Sequence, residues 1–478
     1  MLPRVIQPRH PRFATPSIER HELDGGAFVL RSATSLPSFP RAVGDVLAKR
    51  AAMHPERPYL LEREGQGWRS LSYREVYSAV RGLGQVLLDL GLSPERPLAL
   101  LGGNSIDHAL LQLAAMHVGV PVCPVSPAYS LMSQDHEKLR LLVAQLGPGA
   151  IHVPDRELFA RALAALNLDV PLLVSRADNA AGALDIERAS RTIATEEVER
   201  AFAAITSDTI AKVLFTSGST GVPRGVVNTQ RMLCSNQEAI ALGWPFLEER
   251  PPVVVDWLPW SHTFGGNHNF FMVLWHGGTL YIDGGKPAPG AFDETIRNLR
   301  EIAPTLYFNV PRAFDMLVAK LEQDDALATK FFSELDLIFY AAAALSQSTW
   351  QRLEKVSEKI RGDRVTMVSA WGSTETAPLI TQVCFRIDRA GVIGVPAPGC
   401  ELAFVPSGHK LEMRVKGPNV TPGFWQRGGS TTPLPTDEQG FYAMGDAGRL
   451  ADTNEPARGV IFDGRTAENF KLASGTWV

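Results

Sequence analysis

Apolar and polar residues follow two rhythms along this chain. From residue 73 to 92 the stretch YREVYSAVRGLGQVLLDLGL places apolar residues at three-to-four spacing and ends at glycine, which predicts an amphipathic helix. Short apolar runs obey a different rule. RPLALLGGNS, AKVLFTSGST, PPVVVDWLPW, PTLYFNVPRAF, LDLIFYAAAAL and VTMVSAWGSTE each read as a strand that ends in small, polar or proline residues, with helical segments between several of them. Apolar strands alternating with helices predict an α/β architecture with mostly parallel sheets, and such sheets bind ligands at the carboxyl ends of their strands. The texture changes near residue 394. KLEMRVKGPNV alternates strictly, with Leu411, Met413 and Val415 on one face and Glu412, Arg414 and Lys416 on the other, which predicts a half-exposed antiparallel strand.

These textures divide the chain into an N-terminal arm at 1–37, an α/β subdomain at 38–230, a second at 231–393, a small β-rich, barrel-like subdomain at 394–462 and a final segment at 463–478. The length of 478 residues also calls for more than one hydrophobic core. Lys and Arg number 47 against 51 Asp and Glu, so the formal net charge of −4 gives no pull toward nucleic acid or acidic membranes. None of the four cysteines sits in a CxxC pair, which argues against a zinc knuckle or a disulfide framework and fits a reducing cytoplasm. The N-terminus MLPRVIQPRHPRF lacks the apolar core of a secretory signal. The greasiest region, HALLQLAAMHVGVPVCPV, is interrupted by Gln112, His117 and two prolines, so it reads as a buried helix and a strand rather than a membrane span.

The stretch LFTSGSTGVPRG at 214–225 carries the first candidate chemistry. Thr216, Ser217, Ser219 and Thr220 offer hydroxyls, Gly218 and Gly221 let backbone N–H groups approach an anion, and Arg224 adds a planar cation. The spacing is not that of a Walker A loop: counting from Gly218, the sixth position is Pro223, and Arg224 is followed by Gly225. On its own the stretch reads equally as a polar surface turn.

Three further stretches change that balance. TSGSTGVPRG resembles the phosphate loop of the adenylate-forming superfamily, which includes acyl-CoA synthetases, luciferases and peptide-synthetase adenylation domains. WGSTET at 371–376 resembles the second core motif of that superfamily, YAMGDAGRL at 442–450 the third and FDGRTAENFKL at 462–472 the hinge motif, all in the family order. Within the superfamily GNSIDHALL, PVSPAYSL, WLPWSHTFGGNHNF and FKLASGTWV resemble feruloyl-CoA synthetases, enzymes of lignin-derived aromatic catabolism.

The resemblance implies a ligase with ATP, Mg²⁺ and coenzyme A as its cofactors and co-substrates. A carboxylate, here ferulate or a related hydroxycinnamate, attacks the α-phosphate of ATP to give acyl-AMP and pyrophosphate, and the CoA thiol then displaces AMP. Nucleotide binding is implied for Thr216, Ser217, Gly218, Ser219, Thr220, Gly221 and Arg224, and for Trp371, Gly372, Ser373 and Thr374. Arg224 stands where the family usually has lysine, a point charge rather than a fork. Trp371 stands where it usually has tyrosine, against the adenine. Glu375 is implied as the Mg²⁺ ligand, a hard oxygen donor beside phosphates; a single glutamate alone would read as a solvated surface charge. Asp446 would accept both ribose hydroxyls, with Arg465 on the far side of the ribose. His262 matches a position beside the acyl carboxylate, and the Gly265–Gly266 pair behind it suggests a loop that passes close to a ligand. Ala341, Ala342, Ala343 and Ala344, with Thr376, Ala377 and Pro378, would line a flat acyl slot, although alanines pack closely in any core.

In the family a domain of roughly one hundred residues follows the hinge and carries a catalytic lysine. The chain ends at Val478, Lys471 is its last lysine and Ala467 holds the usual pivot position, so the sequence reads as the large N-terminal portion of a longer enzyme. Other readings stay open: a ligase for another aryl acid, a fatty acid or an amino acid, or a non-catalytic nucleotide or acyl-AMP sensor. Loss of Glu375 or Asp446 would have favoured the sensor, and both are present.

Overall fold

The structure is a computed structural model that describes residues 9–175, 183–217 and 223–466. Among the described residues three sheets form, of eleven, nine and four strands. The nine-stranded sheet is parallel from Ile210–Ser217 through Val122–Pro124, Leu98–Leu100, Ala150–Val153 and Leu172–Val174 to Ala183–Asp185. On its other side it continues antiparallel through Pro223–Thr229 and Gly423–Trp425. The four-stranded sheet runs Val253–Asp256, Thr279–Ile282, Pro58–Glu64 and Gly67–Ser72. The eleven-stranded sheet starts with the parallel trio Leu306–Asn309, Leu337–Tyr340 and Thr366–Gly372 and then turns antiparallel from Leu379–Gln382 onward. The architecture is the expected α/β one, with each parallel core extended by antiparallel strands.

The short strands read as unbroken apolar runs because both faces are covered. All four residues of Leu306–Asn309 and of Leu337–Tyr340 are buried. The amphipathic helix forms at Tyr73–Asp89. Ser72 and Glu75 close a capping box at its start, and Gly91, at φ +70°, follows its end. The helix Ile106–His117 is buried along its whole length, and no described helix is long and apolar enough to cross a membrane. The cysteines Cys123, Cys234, Cys384 and Cys400 are all buried and unpaired.

Backbone pairing also crosses the limits expected at residues 37 and 394. Phe28–Ser32 pairs with Glu401–Ser407, and Leu30 is fully buried, so the N-terminal arm supplies sheet strands as well as surface. Gly423–Trp425 hydrogen-bonds to the strand that follows the TSGSTG stretch. The half-exposed strand Lys410–Lys416 alternates as expected, with Met413 and Val415 buried.

Candidate active site

The described ends of the TSGSTGVPRG stretch lie on two paired strands. Ile210–Ser217 and Pro223–Thr229 pair antiparallel, with Thr216 opposite Arg224 and Ser217 opposite Pro223. Gly218, Ser219, Thr220 and Gly221 lie outside the described residues, as does Ala467. Gly225 is required by packing, because a Cβ there would come within 2.9 Å of Val213 Cγ1 and 3.2 Å of Trp425 Cβ. The Arg224 guanidinium lies over the Phe424 ring, 5.4 Å from its centroid.

WGSTET forms a turn that its own side chains close. Ser373 caps the short helix Thr374–Thr376: its Oγ accepts from the Glu375 N–H at 3.2 Å and donates to Glu375 Oε2 at 2.7 Å. The Thr376 hydroxyl accepts from Ser373 N–H at 2.8 Å and donates to the Pro378 carbonyl. Gly372 has no alternative, since a Cβ would sit 1.8 Å from the Pro378 carbonyl oxygen. Other segments pin the turn from outside. Asn228 Nδ2 donates to Thr374 O at 3.3 Å, Asn419 Nδ2 to Thr376 O and Leu379 O at 2.8 Å each, and Thr421 N–H to Glu375 O at 2.8 Å. The Glu375 carboxylate thus keeps acceptor capacity while its backbone is fixed.

The third motif supplies a carboxylate held from two sides. Asp446 and Arg465 are cross-strand partners in the pairing of Tyr442–Leu450 with Val460–Arg465, and Arg465 Nε lies 3.1 Å from Asp446 Oδ1. On the other side the Trp371 indole Nε1–H donates to Asp446 Oδ2 at 2.9 Å. Burial raises the Tyr442 phenol above its ordinary value, the Glu375 charge adds to that rise, and Arg224 and Arg465 oppose it.

The His262 side chain reaches solvent, and partial desolvation holds its pKa below the usual histidine value. The residue after it is tied into the same frame: Asn267 Nδ2 donates to Thr263 Oγ1 at 3.0 Å and to Asn228 Oδ1 at 2.6 Å, and Asn228 reaches Thr374. The glycines behind His262 need a correction. They begin a π-helix, Phe264–Asn269, rather than an open loop, and both are buried. A Cβ on Gly265 would meet Leu258 O at 2.3 Å, and one on Gly266 would meet Trp260 O at 2.2 Å. Their smallness allows close contact with the chain's own backbone. Lys212, fully buried, donates its Nζ to Gly266 O at 3.0 Å, and burial pushes its pKa down to about 7.

The alanine run follows the strand Leu337–Tyr340 at the carboxyl edge shared by the parallel trio. Ala342, Ala343 and Ala344 are exposed, so they border an open edge rather than an enclosed slot. Of the other expected lining residues, Thr376 and Ala377 are buried and Pro378 is half-buried. Cavities of about 330 and 290 Å³ lie elsewhere, the first along Ile151, Leu163 and Leu172 and the second along Ser78, Arg81 and Thr192. Among the described residues no three His, Cys, Asp or Glu side chains come together as a metal cluster.

A polar turn at the carboxyl end of the parallel strand Thr366–Gly372, with a carboxylate gripped beside it, thus sits on an α/β frame. Residues 47–425 match the AMP-binding enzyme family, and the chain belongs to it. It is 23% identical over 461 residues to a carboxylic acid reductase of Mycobacterium marinum, an alignment that covers 86% of this chain and 37% of the reductase. It is 30% identical over 252 residues to a long-chain-fatty-acid–CoA ligase of Escherichia coli O6:H1, covering 50% of this chain and 41% of the ligase. It is also 26% identical over 422 residues to an indoleacetate–CoA ligase of Aromatoleum aromaticum, covering 84% and 74%. The chain thus spans about two fifths of the length of the first two relatives. The fold is that of ATP-bound MatB from Rhodopseudomonas palustris, with a TM-score of 0.66, 22% identity and 91% of this chain and 81% of that one covered.

Proposed function

We propose that the protein activates a carboxylic acid with ATP, releasing pyrophosphate and forming an acyl-AMP whose acyl group passes to the thiol of coenzyme A. The observation that carries this reading is the Asp446 carboxylate gripped from two sides, by the Trp371 indole N–H at 2.9 Å and by Arg465 Nε at 3.1 Å, with Trp371 leading directly into the pinned turn that carries Glu375. The first step brings a carboxylate anion against a polyanion, so most of its barrier concerns charge and position. Thr216, Arg224 and the residues between them hold the β- and γ-phosphates, Thr374 the α-phosphate and Asp446 with Arg465 the ribose. His262 orients the attacking carboxylate. Glu375 would hold Mg²⁺, which needs few protein ligands when phosphates and water complete its shell, and which supplies neutralising charge at the phosphates. A single Glu375 with free acceptor capacity fits that demand.

For the acid itself we propose a hydroxycinnamate such as ferulate. The support is the resemblance of WLPWSHTFGGNHNF and FKLASGTWV to feruloyl-CoA synthetases, together with the exposed run of small residues at Ala342–Ala344, which leaves room for a flat ring. The indoleacetate ligase among the relatives acts on another aryl acid, and the fatty-acid ligase keeps an aliphatic acid as the second reading. The test is pyrophosphate release from ATP with a panel of ferulate, indoleacetate and long-chain fatty acids, with and without CoA, beside calorimetry with Mg-ATP. Release with ferulate above the other acids supports the full proposal, and release with a fatty acid above the rest shifts the substrate. Mg-ATP binding with no release on any acid would favour a nucleotide sensor.

A further inference from the structure

We propose that Trp371 is a positioning residue for the ribose: its indole N–H fixes the Asp446 carboxylate in the orientation that receives the sugar diol. This rests on the reading of Asp446 as the ribose acceptor. Trp371 and Asp446 are each only 8% exposed, so their contact at 2.9 Å is a buried one. It is not a by-product of strand pairing. Trp371 lies on Thr366–Gly372 and Asp446 on Tyr442–Leu450, and Val460–Arg465, Val392–Pro396 and Leu379–Gln382 stand between those strands in the sheet. Arg465, by contrast, meets Asp446 as its register partner.

The two contacts fall on different oxygens, Trp371 on Oδ2 and Arg465 on Oδ1. An ionised carboxylate offers about four lone-pair sites over its two oxygens, the number that a diol and these two contacts would use. The terminal torsion of aspartate is otherwise broad. The indole donor on one oxygen and the guanidinium charge beside the other narrow it before a ligand arrives, and an interaction organised in advance loses less on binding. Indole is a donor only, so this contact cannot reverse its sense. The tryptophan therefore does more at this position than present a ring face to adenine: it sets the angle of the group that reads the sugar.

The experiment compares Mg-ATP with its 2′,3′-dideoxy analogue by calorimetry, using the full chain and Trp371→Phe, which keeps a ring face and loses the N–H. The expected result is a loss of about tenfold in ATP affinity in Trp371→Phe with dideoxy-ATP affinity nearly unchanged, so that discrimination between the two collapses. Equal weakening of both ligands would overturn the proposal and leave Trp371 as a stacking or packing residue. The underlying reading fails separately: if the unaltered chain and Asp446→Ala bind the two ligands alike, Asp446 does not read the ribose. Should Trp371→Phe not fold, hydrogen exchange of the Trp371 indole N–H in the unaltered chain decides the matter, with assignment from Trp371→Tyr. Slower exchange with AMP than with 2′,3′-dideoxy-AMP supports the proposal, and equal exchange rejects it.

Discussion

The turn from Gly372 to Pro378 and the segment from His262 to Asn269 are joined through Asn228, yet they are held in different ways. The turn is tied mainly by side chains onto backbone, Ser373 and Thr376 from within and Asn228 and Asn419 from outside, with the Thr421 backbone N–H on Glu375 O. The His262 segment is held by backbone packed on backbone at Gly265 and Gly266, with the Gln237 and Lys212 side chains on π-helix carbonyls and the Asn267 amide on Thr263 and Asn228. The first arrangement fixes polar groups where phosphate charge is to be met, without strain at the atoms that meet it. The second fixes the direction of a chain segment and leaves the His262 ring near solvent. A site that must hold one constant ligand and one variable ligand gains from that division, because acyl-side side chains can change without disturbing the nucleotide turn.

The largest expected effect tests how rigid the nucleotide turn is. Gly372→Ala places a methyl against the Pro378 carbonyl. Overpacking of backbone against backbone should cost about 3 kcal/mol, read as a shift of the urea midpoint. A shift below about 0.5 kcal/mol would mean the turn yields, contrary to the picture of a pinned frame.

Lys212 tests the other side through pH. Lysine ordinarily titrates near 10.5, and burial brings Lys212 down to about 7. Between those values the unfolded chain holds the proton and the folded chain does not, so this group raises stability as pH rises from about 7 toward 10.5. Below about 7 both states carry the proton and the cost of the buried charge is present in full. Lys212→Met should remove that dependence, narrowing the stability difference between the two chains by about 2 kcal/mol from pH 7 to pH 9. Parallel stability curves over that interval would show that Lys212 does not change its charge on folding.

A smaller effect separates metal from frame. Glu375→Gln keeps an acceptor for the Ser373 hydroxyl and loses the negative charge. ATP affinity in Mg²⁺ should fall by about tenfold, roughly 1.4 kcal/mol, while ATP affinity in EDTA and the unfolding midpoint stay unchanged. Equal losses with and without Mg²⁺ would remove Glu375 from the metal.

The sequence made the nucleotide side easier to read than the acyl side for a physical reason. Ser373, Thr374, Glu375 and Thr376 act within a few residues of one another, so their roles survive as a local motif. The strands were legible because burial on both faces leaves continuous apolar runs, and Val253–Asp256, Leu306–Asn309, Leu337–Tyr340 and Thr366–Gly372 all form within the runs read as strands. Asn228, Asn267 and Asn419 were not legible as site residues, because their partners lie in distant segments; Asn228 and Thr374 are 146 residues apart. Lys212 had a signal that went unused: a lysine inside a strand covered on both faces has no route to water, so it must find a buried partner. The meaning of Gly265 and Gly266 could not be read at all without knowing that the chain returns over Leu258 and Trp260.

The smallest effect sharpens the comparison at two alanines that share an uncommon backbone. Ala342 has φ +72° and Ala377 has φ +62°, both in the left-handed region where a Cβ is unfavourable. Ala377 is buried behind the pinned turn, so its methyl is packed and its conformation imposed from outside. Ala342 is exposed at the acyl edge, where its methyl has little packing to lose. Glycine at either position relieves about 1 kcal/mol of strain and returns about 0.4–1 kcal/mol through the freer unfolded chain. For Ala342→Gly the balance should be a gain of about 0.5 kcal/mol. For Ala377→Gly the lost buried methyl, about 0.8 kcal/mol, should turn the balance negative. Opposite signs in paired urea titrations would show that strain on the nucleotide side is held by packing while strain on the acyl side is not. A gain at both positions would mean that the turn is no better supported than the open edge.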